Sequence, residues 1–226
     1  IDYYSGIFGP YPYRQCRILE FPRYNSFAQS FPNTIPFSES IGFVMDIDHN
    51  DPDDLDMPFW VTAHEMGHQW WPHQLSGGSV KGSNFLSEGL SEYSAVSLLA
   101  IEKGEKQLRK FLKYELDQYL EGRAFDSKEP TIVSTEGSEQ YIVYNKAGLS
   151  LFTLSNLIGK NIFNTSLGRF IEKYRYQYDP YPNIGQFIES IREDIPKDFQ
   201  YLITDTFEKI TLYENKAKTA SVKENP

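Results

Sequence analysis

Cysteine is almost absent from this chain of 226 residues, in which Cys16 is the only one. A single cysteine excludes an intramolecular disulfide and a zinc site built from thiolates, and it indicates no particular cellular compartment. Basic residues are also scarce, with 22 Lys+Arg against 31 Asp+Glu and a formal net charge of −9. Because no basic stripe occurs along the sequence, we expect no nucleic acid as a partner.

Long apolar runs are lacking as well. The longest near-continuous run covers residues 95–101, far below the roughly 20 residues that a transmembrane helix requires. We therefore expect that this segment does not span a membrane. The chain begins at Ile1 without an initiator Met or a signal-peptide pattern, so we expect it to be a piece of a longer protein.

What the chain does contain is enough apolar material for a core. Hydrophobic residues make up 40% of the sequence and aromatic residues 15%, a composition typical of globular rather than disordered proteins. The patterns predict an α+β, predominantly helical fold in a single domain over residues 1–213. Within it we expect a β-containing start over 1–55 and a helical remainder over 56–213, followed by a polar tail over 214–226.

Local signals predict the order of the elements. Two runs of β-like length and composition predict strands over residues 15–21 and 41–47. Asp56 is suited to cap the first long helix, with Pro58 in its first turn, and Pro72 ends it. Apolar periodicity predicts helices over residues 56–71, 84–103, 105–121, 141–158, 162–178, 184–193 and 199–213.

A short motif in the first of these helices carries the chemistry. It is His64-Glu65-Met66-Gly67-His68. Residues four apart share one face of a helix, so both imidazoles can bind one tetrahedral ion while the Glu between them reaches a water on that ion. The alternative is a pair of helix histidines that only make core or solvent hydrogen bonds.

A catalytic zinc needs a third protein ligand and an open position for water, and a carboxylate suits that role. Glu88 in the next predicted helix is the candidate, because the loop that separates it from His68 leaves enough chain for the second helix to return. Glu92 lies one turn further on the same face. It is either a residue that orients the ligands or a surface ion-pair residue.

At these motifs the sequence resembles the aminopeptidase N family of zinc peptidases, gluzincins with a thermolysin-like catalytic domain. Residues 64–71 are similar to the first zinc-binding helix of that family, and Ser87-Glu88-Gly89 is similar to its Asn-Glu-Gly segment. Nineteen residues separate His68 from Glu88, where the family usually has eighteen. The resemblance spans roughly residues 3–159, and it implies one Zn²⁺ per chain, bound by His64, His68 and Glu88.

Two further roles are implied by the resemblance. The family has a Tyr in a Tyr-x-Lys-Gly segment that stabilises the oxyanion, and Tyr144 precedes Lys146, Ala147 and Gly148 in a similar segment. This assigns the oxyanion role to Tyr144, with Tyr141 or a purely structural tyrosine as alternatives.

The family also has a segment whose Glu holds the α-ammonium group of the substrate, followed by a Gly between apolar residues. Glu39 and Gly42 occupy the similar positions here, although the surrounding Gly, Met and Asn are replaced. The resemblance thus implies that Glu39 and Gly42 bind substrate, with residues 41–43 lying along the peptide as an edge strand. The alternative for Glu39 is a surface position in a polar loop.

Together these residues predict a zinc metallopeptidase. Its most favoured form is an aminopeptidase in which Glu65 is the general base and the substrate is a peptide with a free N-terminus. An endopeptidase of the same fold is an open alternative. So is a zinc-binding module without hydrolytic activity, in a parent protein that belongs to a membrane-associated assembly.

Overall fold

Helices account for most of the chain in the computed structural model, which describes residues 1–48, 51, 54–213, 216, 218 and 219. Together with one small sheet they confirm the predicted α+β, predominantly helical class. The predicted tail over 214–226 lies outside the described residues, apart from three positions. The α-helices are α1 (Asp2–Phe8), α2 (Glu39–Gly42), α3 (Met57–Gly67), α4 (Glu88–Glu102), α5 (Gly104–Phe125), α6 (Ala147–Ile158), α7 (Lys160–Tyr174), α8 (Ile184–Asp194) and α9 (Gln200–Ile203).

Shorter helical turns connect several of these elements. Turns of 3₁₀-helix cover Ser83–Leu86, Ile132–Ser134 and Lys197–Phe199, and π-helical turns cover Tyr141–Lys146 and Thr204–Glu208. Two of the predicted helices differ from the structure for this reason. The helix predicted over 141–158 begins as a π-helical turn, and the one predicted over 199–213 is α-helical only to Ile203 and ends as a π-helical turn at Glu208.

The sheet has two parallel strands, β1 (Arg17–Phe21) and β2 (Thr34–Ser38), paired from Arg17 opposite Thr34 to Phe21 opposite Ser38. β1 confirms the first predicted strand. The strand predicted over 41–47 is wrong, because α2 begins at Glu39 and no strand follows it among the described residues. The hydroxyl of Ser38 accepts a hydrogen bond from the Ser40 amide, which caps a helical turn there.

Helix α1 is a helix that the sequence did not indicate. Its Tyr4 and Phe8 lie one turn apart and are buried against the indoles of Trp70 and Trp71. The Tyr4 hydroxyl also donates to the carbonyl oxygen of Ala63 at 2.9 Å. These contacts hold the end of α3 and the turn that follows it against the N-terminal helix.

Helix α3 follows the predicted pattern at its start and ends earlier than predicted. The Asp56 carboxylate accepts a hydrogen bond from the Phe59 amide, as the cap prediction required. Gly67 ends the helix where it crosses α4, and a Cβ atom at this position would lie 3.1 Å from the Cα of Ser91. A glycine therefore allows α3 and α4 to approach closely enough for their side chains to meet. None of the described helices combines the length and apolar composition that crossing a bilayer requires.

Candidate metal centre and catalytic cleft

Helix α3 and the capping residue that follows it bring His64, Glu65 and His68 to one buried point. One ligand atom from each of the three lies within 4.8 Å of the others. The i, i+4 spacing produces this arrangement directly, because the two imidazoles rise from successive turns of the same face. All three residues are buried in the chain, yet they line an open cleft.

Glu88, the first residue of α4, lies between the two imidazoles. Its Oε2 atom is 3.3 Å from Nε2 of His64 and 3.2 Å from Nε2 of His68. Burial alone would raise the pKa of Glu88, but hydrogen bonds with the two histidines outweigh burial and hold that pKa well below its usual range. Two imidazole nitrogens and one carboxylate oxygen are the donor set of many catalytic zinc sites, so these residues fit the ion.

The opposite nitrogens of the imidazoles have partners of their own. Nδ1 of His64 lies 2.7 Å from Oε2 of Glu92, and Nδ1 of His68 lies 2.6 Å from the carbonyl oxygen of Trp71. A carbonyl oxygen only accepts, so Nδ1 of His68 donates and its Nε2 carries the lone pair that could bind a metal ion. Glu92 is therefore a buried partner of His64 and not a surface ion-pair residue.

Glu65 differs from the two histidines because one of its oxygens is unused. Its Oε2 atom is buried and has no hydrogen-bond partner among the described residues. Burial raises the pKa of this carboxyl, and the charges of His64 and His68 oppose that rise. A buried, unpartnered oxygen next to a metal position is suited to accept a proton from a water molecule.

Tyr144 lies on the other side of His64. The two rings stack with their centroids 5.7 Å apart and an interplanar angle of 19°. Burial, together with the nearby Glu88, raises the pKa of Tyr144, so the phenol keeps its proton near neutral pH. The hydroxyl of Tyr141 donates instead to Asp126, outside the group of cleft residues.

The cleft around these side chains has a volume of about 550 Å³. Its walls include residues from three regions of the chain: Ala28, Gln29 and Ser30; Met57, Trp60 and Val61 of α3; and Tyr114, Glu115 and Gln118 of α5. The sequence had given no indication of the first and third regions.

The segment around Gln29 forms a short antiparallel pairing with β2. Gln29 donates its amide to the Pro36 carbonyl at 3.1 Å, and Phe27 accepts from the Ser38 amide at 3.0 Å. Backbone groups alternate in direction along an extended chain, so those of Ala28 point away from β2. A Pro32-Asn33 pair at the turn before β2 is the sequence signal that could have predicted this pairing.

The structure does not place Glu39 and Gly42 among the described residues of the cleft. Both lie in α2, and neither is among the described residues that line the cleft. Oε1 of Glu39 is 3.6 Å from Nε of Arg23. Residues 41–43 form no strand along the cleft, because α2 replaces the predicted strand, and residues 28–30 line the cleft instead.

The model of the peptidase family M1 domain matches residues 1–207. The chain belongs to peptidase family M1. The predicted resemblance is thereby confirmed, together with the hydrolase and zinc metallopeptidase character of the family. No curated protein matches the chain at a significant level.

Several solved structures share the fold of this M1 chain. An M1 zinc metallopeptidase from Deinococcus radiodurans superposes with a TM-score of 0.68 at 16% identity, over 96% of this chain and 44% of that one. A mutant of that enzyme bound to a Tyr-Ser-Ala substrate gives a TM-score of 0.67 at 17% identity, over 92% and 43%. Native yeast LTA4 hydrolase gives 0.68 at 18% identity, over 96% and 35%. This chain therefore spans less than half the length of these relatives.

Proposed function

We propose that this chain forms the catalytic part of a zinc-dependent aminopeptidase, which hydrolyses peptides at a free N-terminus. One observation carries the proposal. The Nε2 atoms of His64 and His68 converge on Oε2 of Glu88 while a buried oxygen of Glu65 beside them is unpartnered. This combination of three ligands and one free base is what metal-assisted hydrolysis requires.

One Zn²⁺ per chain would be held by His64, His68 and Glu88. When bound, the ion supplies a Lewis acid that polarises the scissile carbonyl group and makes the attacking water more acidic. Glu92 and the carbonyl oxygen of Trp71 orient the two imidazoles. The protein thereby fixes the ligand geometry before a substrate arrives.

Glu65 is the proposed general base. Its free oxygen takes a proton from the attacking water, and the carboxyl then gives a proton to the leaving amine. Its burial raises its pKa, which brings its proton affinity closer to that of the groups between which it moves the proton. The Tyr144 hydroxyl donates to the carbonyl oxygen as negative charge develops on it, and this contact strengthens in the transition state.

The peptide is proposed to lie along residues 28–30. Ala28 lines the cleft with its backbone groups turned away from β2, and an extended peptide can pair with such an edge whatever its side chains are. The Tyr-Ser-Ala substrate of the Deinococcus radiodurans mutant supports a short peptide as the class of substrate. Family membership supports the aminopeptidase reaction.

An endopeptidase is the second candidate, and the position of Glu39 favours it. The carboxylate that was expected to bind the α-ammonium group lies against Arg23 and outside the cleft. A peptidase without such a carboxylate has no requirement for a free N-terminus. The two candidates share the zinc site and the base. They differ only in whether the substrate must have a free N-terminus.

The test measures zinc content and hydrolysis in parallel on the wild-type chain, Glu65→Gln and Glu88→Ala, with free and N-acetylated aminoacyl amides and peptides. We expect near-stoichiometric zinc in the wild type and in Glu65→Gln, loss of zinc in Glu88→Ala, and turnover in the wild type alone. Cleavage of free-amine substrates only supports the aminopeptidase, and equal cleavage of acetylated peptides supports the endopeptidase. Stoichiometric zinc without any cleavage contradicts both.

A further inference from the structure

The cleft is strongly acidic. Four glutamates line it, namely Glu65, Glu88, Glu92 and Glu115, and no lysine or arginine occurs among the described residues that line it. Three of the four have roles in the site already described: the base, the metal ligand and the partner of His64. Glu115, on α5, is left without one.

Glu115 is a buried carboxyl without a positive partner. The residue is 2% exposed, and its Oε2 accepts a hydrogen bond from the neutral Nδ2 amide of Asn145 at 2.8 Å. Burial and the nearby Glu92 raise the pKa of Glu115 to about 8. The ionised form of a carboxyl in this position costs free energy that an opposite charge would recover.

The same fold contains a buried carboxylate that is fully compensated. Glu129, whose side chain is 5% exposed, accepts hydrogen bonds from Lys146 at 2.5 Å and from Arg123 at 2.6 Å. Its position is explained by the ion pairs within the chain. Glu115 has no such ion pair among the described residues, and unlike Glu129 it lines the cleft in which a substrate would lie.

The surroundings of Glu115 suit a ligand with an apolar stem and a positive end. Trp60 of α3, which stacks on Phe111 with centroids 4.5 Å apart, and the neighbouring Val61 supply apolar wall. Tyr114 and Gln118 flank Glu115 on its own helix. Alkyl stems of amino acids pack on such walls while their charged ends reach a carboxylate.

We propose that Glu115 binds the cationic group of the peptide substrate, an ammonium or guanidinium. The inference rests on the proposed function because it takes the ligand to be a peptide. It assigns to Glu115 the role that the sequence had given to Glu39. The same chemistry is offered by the α-ammonium group of a free N-terminus and by a lysine or arginine side chain.

The test is peptide binding in a zinc-loaded chain that carries Glu65→Gln, measured by isothermal titration calorimetry. Four peptides of one sequence combine a free or acetylated N-terminus with lysine or norleucine near the scissile bond. Glu115→Gln is added to this background, and Glu121→Gln on the exposed side of the same helix is the matched control. Gln keeps an acceptor for Asn145 and removes only the charge.

We expect Glu115→Gln to lower the affinity for the cationic peptides about tenfold or more relative to the affinity for the doubly neutral peptide. This is the loss typical of one hydrogen bond to a charged group. Loss of the preference for a free N-terminus identifies the α-ammonium group, and loss of the preference for lysine over norleucine identifies the side chain. The proposal is overturned if Glu115→Gln changes neither the affinity ratio of free to acetylated peptides nor the affinity ratio of lysine to norleucine peptides.

A second measurement needs no variant at Glu115. In the same Glu65→Gln chain, n-butylammonium should compete with the cationic peptides, and n-butanol at equal concentration should not. Equal effects of the two compounds contradict a cation site. Both measurements are independent of turnover, so a chain that binds cationic peptides through Glu115 but cleaves none contradicts the proposed function and leaves this inference standing.

Discussion

Nδ1 of His64 and Oε2 of Glu92 lie 2.7 Å apart, in a contact that is buried on both sides. The contact fixes the ring so that Nε2 faces Glu88. It joins α3 to α4 directly at the proposed metal position.

Glu92→Gln should weaken zinc binding while the fold is retained. The amide can still accept a hydrogen bond from His64, but it no longer stabilises the imidazole by charge, and outer partners of this kind contribute about 10- to 100-fold to metal affinity. Competition with a chromophoric chelator measures the dissociation constant. Glu102→Gln, at the exposed end of α4, is the control, and an unchanged constant in Glu92→Gln would show that the contact does not tune the site.

Tyr144→Phe should lower kcat by about 100- to 1000-fold with a small effect on KM. The hydroxyl is proposed to act on charge that develops only in the transition state, and loss of one such donor has this magnitude. Steady-state kinetics on the best substrate of the wild type provide the measurement. Tyr141→Phe, whose hydroxyl donates to Asp126 instead, should stay near the wild-type rate. Equal losses in the two variants would contradict the assignment.

Gly67→Ala should lower the free energy of unfolding by about 1–3 kcal/mol, the usual cost of overpacking. Its Cβ would lie 3.1 Å from the Cα of Ser91, so α3 and α4 must separate and zinc affinity should fall as well. Chemical denaturation and chelator competition test the two effects. Gly6→Ala in α1, where an added Cβ meets nothing within 4 Å, is the control and should lower neither quantity, because alanine is more favourable than glycine inside a helix.

Glu129→Gln should destabilise the fold in a pH-dependent way. Burial would raise the pKa of Glu129, but Lys146, Tyr119 and Arg123 outweigh burial and lower that pKa. Because the folded-state pKa lies below the unfolded value of about 4.3, the ionised carboxylate stabilises the fold above about pH 4.3. That contribution is lost as the pH falls through the folded-state pKa.

We therefore expect a loss of about 2 kcal/mol in Glu129→Gln near pH 7, which shrinks as the pH falls below about 4. Thermal unfolding of both proteins across this range checks the difference. Glu136→Gln removes an exposed ion pair with Lys81 and serves as the comparison, with little effect expected. A difference for Glu129→Gln that stays constant with pH would exclude its charge as the cause.

The proposed metal position could be predicted from the sequence because its geometry is local. His64 and His68 are placed by one turn of a helix, and Glu88 required only that a second helix return beside the first. The identification of Tyr144 depended on the residues that follow it. The structure brings these side chains together, and their roles stay predictions.

The remainder of the cleft depends on contacts between distant parts of the chain. Gln29 reaches it through pairing with β2, and Glu115 reaches it because α5 packs beside α4. No local pattern marks either residue. The strand predicted over 41–47 was wrong for a local reason that the composition did not reveal, the cap that Ser38 provides to the turn at Glu39.

Three successive residues of the π-helical turn reach three different partners. Tyr144 stacks on His64, Asn145 donates to Glu115, and Lys146 donates to Glu129. The group proposed to act on the reacting oxygen is thus one residue away from the group that contacts the proposed selectivity carboxyl. A protein engineer who altered substrate preference at Glu115 would therefore change the rate constant together with the binding constant. The reason is that Asn145, which contacts Glu115, and Tyr144 belong to a single turn of backbone.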